Sequence, residues 1–169
     1  MKHNRILSAY TLVILSAFLF ISILGSNVAK ADSTLGKKMV ESYLIVGTYL
    51  LTEANEGGSR IITITADGSW YGVHSLQFDE NFSNQQGLWK KIERRTITAR
   101  TLNFALLEDG VGSSLFSFTI EFDKSYSQIT GELSGKTFPP DVDPLDPDAL
   151  PINTFSNTFT GKRLIVTDD

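Results

Sequence analysis

The chain has 169 residues, no cysteine and a formal net charge of −4. Without cysteine there is no disulfide framework, no lipidation thiol and no cysteine–histidine zinc site, so stability has to come from burial and hydrogen bonding. The acidic balance argues against nucleic acid as a partner, because phosphate-backbone binding depends on Lys and Arg.

Residues 1–31 read as a secretory signal peptide. Lys2, His3 and Arg5 form a basic start, Ile6 to Gly25 is an apolar run without an acid, and Ala29 and Ala31 supply the A-x-A pattern expected before cleavage. Twenty mostly apolar residues are also long enough for an uncleaved anchor, and the A-x-A site favours cleavage and a secreted or periplasmic product without stable membrane insertion. Cleavage would leave twelve basic against nineteen acidic residues, a net charge of −7, with His74 the one histidine. After a short lead at 32–43, residues 44–169 are enough for one domain with its own core.

From Leu44 onward the pattern has period two, with turn residues every ten or so positions. Strand one is expected over 44–52, followed by a glycine-rich loop. "RIITITA" then meets Asp67-Gly68, the signature of a two-residue hairpin in which both central residues take positive φ. "SWYGVHSLQF" is strand three, "GLWKKIE" strand four, and "TITARTLNFALLE" the long strand five. "SLFSFTIEF" and "SQITGELSGKTF" follow. Residues 139–151 hold five prolines and four aspartates, which excludes a central strand, and "INTFSNTFTGKRLIV" completes the series. Eight antiparallel strands with short connections predict an all-β, up-and-down barrel, with a sandwich as the alternative.

Alternation puts Phe155, Asn157, Phe159, Gly161 and Arg163 on one face of the last strand, and Phe116, Phe118, Ile120 and Phe122 on one face of strand six. Both sets are expected inside, the aromatic stripe primarily as core. Gly47-Thr48-Tyr49 at the start of strand one and Arg163 near the end of the last strand resemble the Gly-x-aromatic element and packing arginine of the lipocalin or calycin barrels. The mature chain also resembles small exported bacterial barrel proteins of unassigned function, through Gly87-Leu88-Trp89 and the arginine-rich turn and Thr/Ala-rich strand after it. The resemblance implies a lipocalin-like barrel closed at one end, with Arg163 over the Tyr49 ring and Gly47 beside it as structural residues.

A barrel of this size can enclose one small apolar or amphipathic ligand. Trp70, Trp89, Phe116, Phe118 and Phe159 would supply contact area, and His74, Arg100 or Asn157 would orient the ligand. Arg100 serves only if it faces the lumen, where its charge would have to be paired. No nucleophile elbow or carboxylate accompanies His74 in sequence, so no catalytic residue is assigned. The D-x-D-x-D-G calcium spacing is absent from 139–151, so neither metal nor cofactor is expected. Two other classes stay open: a filled barrel acting through its surface, and a cavity isomerase or cyclase that steers a reactive ligand. The sequence leaves the oligomeric state open.

Overall fold

The computed structural model describes residues 42–55 and 58–167; the leader at 1–31 and all but the last two residues of the lead lie outside them. Eight strands form a closed antiparallel barrel in sequence order: β1 Gly47–Glu53, β2 Ser59–Ile64, β3 Ser69–His74, β4 Gln85–Glu93, β5 Thr96–Leu107, β6 Gly110–Phe122, β7 Gln128–Phe138 and β8 Asn153–Arg163. Closure comes from β1 pairing with β8, Tyr49 opposite Arg163 and Glu53 opposite Phe159. It leaves no free sheet edge.

Strand one differs from its expected limits at both ends. Residues 42–45 form a helical turn instead of strand, because the Arg163 guanidinium takes up the Leu44 carbonyl at 2.8 Å and the Val46 carbonyl as well. Glu53, expected in the loop, is drawn into the ladder opposite Phe159. The third strand stops at His74, since the ring Nδ1 accepts the Leu76 N–H at 3.1 Å and turns the chain toward the helical turn Gln77–Glu80. At Asp67-Gly68 only the glycine has positive φ, +90°. The turn spans Thr65 to Gly68, and Asp67 holds it through its carboxylate, which accepts the Thr65 hydroxyl and the Ser69 N–H. This is the three-residue hairpin with a glycine bulge.

Every second residue points inward. The lower lumen is packed solid: the Trp70 and Phe118 rings are 5.0 Å apart between centroids, Phe118 and Phe159 6.3 Å, and Tyr49 and Phe122 5.7 Å edge to face. Inward glycines make room for this. A Cβ at Gly131 would lie 2.6 Å from the Phe159 ring and one at Gly135 would fall on the Phe155 ring, so both phenylalanines lie against bare backbone of β7.

The two ends differ. At one end Ile45 plugs the barrel, the Tyr49 hydroxyl donates to the Ile45 carbonyl at 2.8 Å, and Arg163 Cζ sits 5.8 Å above the Tyr49 ring. The long connections 75–84 and 139–152 meet at the other end, and there the interior turns polar.

Burial pushes the Tyr49 hydroxyl up to about 12, against the opposing pull of the Arg163 charge. Folded protein therefore keeps the Tyr49 proton where the unfolded chain has lost it, and stability should fall as pH rises from the ordinary value of 10.0 toward 12. Urea midpoints measured across that range should fall for the wild type. Tyr49→Phe should start lower by about 1 kcal/mol, the value of the lost hydrogen bond, and fall less steeply; an identical slope would mean that Tyr49 is not the group responsible.

Candidate functional site

The polar end is built on a buried cation. Arg60 enters the lumen at the start of β2, on the same face as Ile62 and Ile64, and is 4% exposed. Its Nε and Nη2 both donate to Glu53 Oε1, at 3.0 and 2.8 Å, and Nη1 donates to Gln85 Oε1. The guanidinium lies over two rings, 5.5 Å from the centroids of Phe116 and of Phe118. Such contacts add most when desolvated.

Glu53 is shared further. His74 Nε2 reaches Oε1 at 3.3 Å, and Asn157 Nδ2 donates to Oε2 at 3.3 Å. Burial alone would raise the Glu53 carboxyl, but the His74 hydrogen bond and the charge and hydrogen bonds of Arg60 together hold it below its ordinary value. Burial likewise lowers Arg60, and Glu53 opposes this. The pair is neutral as a unit, and its lone pairs and donors are largely taken.

This arrangement is poorly suited to proton transfer. His74 Nδ1 is occupied by the Leu76 N–H, so Nε2 carries the proton directed at Glu53. Neither ring nitrogen is left to take a proton from a ligand, and a general base needs one within reach.

Beside this network, one stretch of the lumen wall has polar atoms without partners. Among the described residues, Trp70 Nε1, Gln85 Nε2, Thr101 Oγ1 and Asn103 Oδ1 find none, although their own residues are 0, 2, 1 and 6% exposed. They lie on adjacent strands: Trp70 pairs with Gly87, Gly87 with Thr101, and Gln85 with Gly72. Buried polar atoms in folded proteins nearly always have a partner in protein, water or ligand.

Of the residues singled out from sequence, Trp70, His74, Phe116, Phe118, Asn157 and Phe159 all point into the lumen. Arg100 does not. It is exposed on the outer face, between Leu88 and Ser117 in register, because its neighbours Ala99 and Thr101 take the inward positions of β5. Outward, the charge stays hydrated, and it cannot anchor a lumenal ligand. Trp89 is directed to the closed end, where its Nε1 donates to the Thr65 carbonyl at 2.9 Å, well away from the polar layer. Gly47, Tyr49 and Arg163 sit together at the closed end.

Sequence reasoning missed Glu53, Arg60 and Gln85. Glu53 and Gln85 fell in stretches read as loops. Arg60 stood in an alternating strand whose two faces both carry isoleucine, so alternation could not say which face was inner. The 139–151 segment uses two of its carboxylates on its own backbone: Asp143 accepts the Leu145 N–H at 2.8 Å and Asp146 the Asp148 N–H at 2.9 Å. Among the described residues no three His, Asp or Glu side chains converge to hold a metal.

A groove of about 970 Å³ runs over the outer face of β3 to β6, between Tyr71, Leu88, Phe104 and Val111 and the overhanging Pro139 and Pro144. It lies outside the lumen.

Removing one partner of a buried ion pair costs about 3–5 kcal/mol, while replacing both by apolar groups can be neutral. Glu53→Gln should therefore lower unfolding stability at neutral pH by about that amount, and Glu53→Gln with Arg60→Met should recover most of it. Since folding depresses the Glu53 carboxyl below its ordinary 4.5, its stabilisation is complete above that value and is lost as pH falls through the lower folded value. Glu53→Gln should lack that part of the acid dependence. Urea titrations of the three proteins across the acid range would check both points, and an additive double variant would dissolve the pair as a unit.

The chain matches no known protein-family model, and no characterised protein matches it in sequence.

Proposed function

We propose that this protein is an exported, lipocalin-like binding barrel that takes a small amphipathic ligand at the end where its interior turns polar. One observation supports this reading above others: four polar atoms on adjacent strands of the inner wall are buried and have no partner among the described residues. Each such atom costs about 1–3 kcal/mol if nothing meets it. A barrel serving only as a filled scaffold would gain by having apolar side chains there.

The aromatic floor supports the same reading. Phe116 and Phe155 meet edge to face at 5.3 Å near the mouth, and Phe155 is still 38% exposed. A ligand whose polar head meets the wall would rest its apolar body on these rings. Proton-transfer chemistry gains no support, because His74 and Glu53 are already engaged with one another and with their neighbours.

A second reading, a barrel acting through its surface, is favoured by the outer groove. Exposed Leu88, Phe104 and Val111 there form an apolar patch of the kind that marks contact sites.

Native mass spectrometry of the protein purified from its own cells, followed by solvent extraction, separates the two. A discrete additional mass that is lost in Asn103→Leu is the expected result for a lumenal carrier. A bare mass in every preparation, with no uptake from a panel of small amphipathic compounds, would overturn the carrier reading in favour of the surface one.

A further inference from the structure

We infer that the ligand held by this lumen carries an uncharged, amide-like head group, one that accepts and donates hydrogen bonds from adjacent atoms. The inference rests on the lumenal binding proposed above and adds the chemistry of the ligand.

Amide oxygens and nitrogens are easily exchanged in assignment, but here the neighbours fix both amides. Gln85 faces Arg60, whose guanidinium has only donors, so the oxygen must point there. That leaves Gln85 Nε2 as the group without a partner, a donor. Asn103 faces the Ser83 carbonyl, which can only accept, so its nitrogen must point there, at 3.4 Å. Its free atom is therefore the oxygen, an acceptor. Trp70 Nε1 can only donate, and the Thr101 hydroxyl does either.

The wall thus offers two definite donors, one definite acceptor and one hydroxyl. A carboxylate brings acceptors alone. It would satisfy Trp70 and Gln85 but would face the Asn103 oxygen with nothing to give, and it would add a charge beside a pair that is already neutral. An ammonium has the opposite fault, since it strands both donors. A primary amide, a lactam or a urea meets all the definite groups without charge.

Gly72 brings two of these groups together. A Cβ there would lie 3.1 Å from Gln85 Oε1 and 3.5 Å from Trp70 Nε1, so the bare glycine lets the Gln85 amide and the Trp70 indole lie close to each other on the wall. Phe116, opposite Thr101 in register, supplies the apolar surface next to it.

The two tryptophans provide the measurement. Trp70 Nε1–H is free, whereas Trp89 Nε1–H is held by Thr65 and serves as internal control. ¹⁵N-labelled protein, in the form the cell accumulates, would be titrated with benzamide, benzoate and benzylammonium while both indole signals are followed. Benzamide should shift the Trp70 signal saturably, leave Trp89 in place, and bind on the order of tenfold tighter than either charged analogue, the value of one unmet buried group. Thr101→Val, which removes a hydroxyl that has no partner, should leave the unliganded protein at least as stable and weaken benzamide by a similar factor. Benzoate or benzylammonium binding as tightly as benzamide would overturn the amide head and leave lumenal binding standing. So would silence from all three probes on a protein that carries an extractable ligand. Silence from all three on a protein whose native mass is bare would overturn both, the wall atoms then being met by ordered water only.

Discussion

The ion pair between Arg60 and Glu53 governs the polar half of this barrel. A guanidinium at 4% exposure cannot stand alone in a protein interior, so the end of β1 must deliver a carboxylate to it. Arg60 places two donors on a single oxygen of that carboxylate, which leaves the other oxygen for Asn157 on β8. The same guanidinium sets the direction of the Gln85 amide on β4. One charge thereby ties together side chains of β1, β4 and β8, although β4 pairs with neither of the other two.

The location of this pair follows from how the lumen is filled. Below it, rings from β1, β3, β6 and β8 interlock, and glycines of β7 give up their side-chain space to two phenylalanines. Aromatic packing of this density admits no charged side chain. Arg60 lies at the upper limit of that stack, with its flat face on Phe116 and Phe118 and its edge turned to the carboxylate. The opposite end has its own arginine. Arg163 covers Tyr49 and gathers the carbonyls of 44 and 46, and so binds the helical turn across the barrel base. Both arginines use a planar cation on a ring with donors at the edge, a geometry that lysine cannot reproduce.

The barrel itself was legible because strand period, turn residues and strand count agreed. The inward assignments of β6 and β8 were equally plain, since Phe116 to Phe122 alternate with Ser, Thr and Glu, and Phe155 to Arg163 alternate with Ser, Thr and Lys. The polar layer was far less so. Its centre, Arg60, looks in sequence like an ordinary charge opening an exposed strand, and Arg100 looks like a better candidate. Only register distinguishes them: one inward position of β5 belongs to Ala99 and the next to Thr101, so Arg100 falls outside. Glu53 and Gln85 were hidden by their surroundings, as each adjoins a polar loop and becomes strand only through its partner across the sheet. Pairing of this kind is a long-range property that local pattern does not carry.

What the ion pair provides to its neighbours is polarity without net charge. It orients the Gln85 amide and occupies its oxygen, which leaves the amide nitrogen as a donor on the same stretch of wall as Trp70, Thr101 and Asn103. A buried polar atom of this kind costs about 1–3 kcal/mol where neither protein, water nor ligand meets it. The ring stack below and the closed ladder around them hold these four residues in place. In the carrier proposed above, a ligand group that meets the four atoms would remove that cost on binding, and the fixed order of donors and acceptor beside the Arg60–Glu53 pair would set its selectivity.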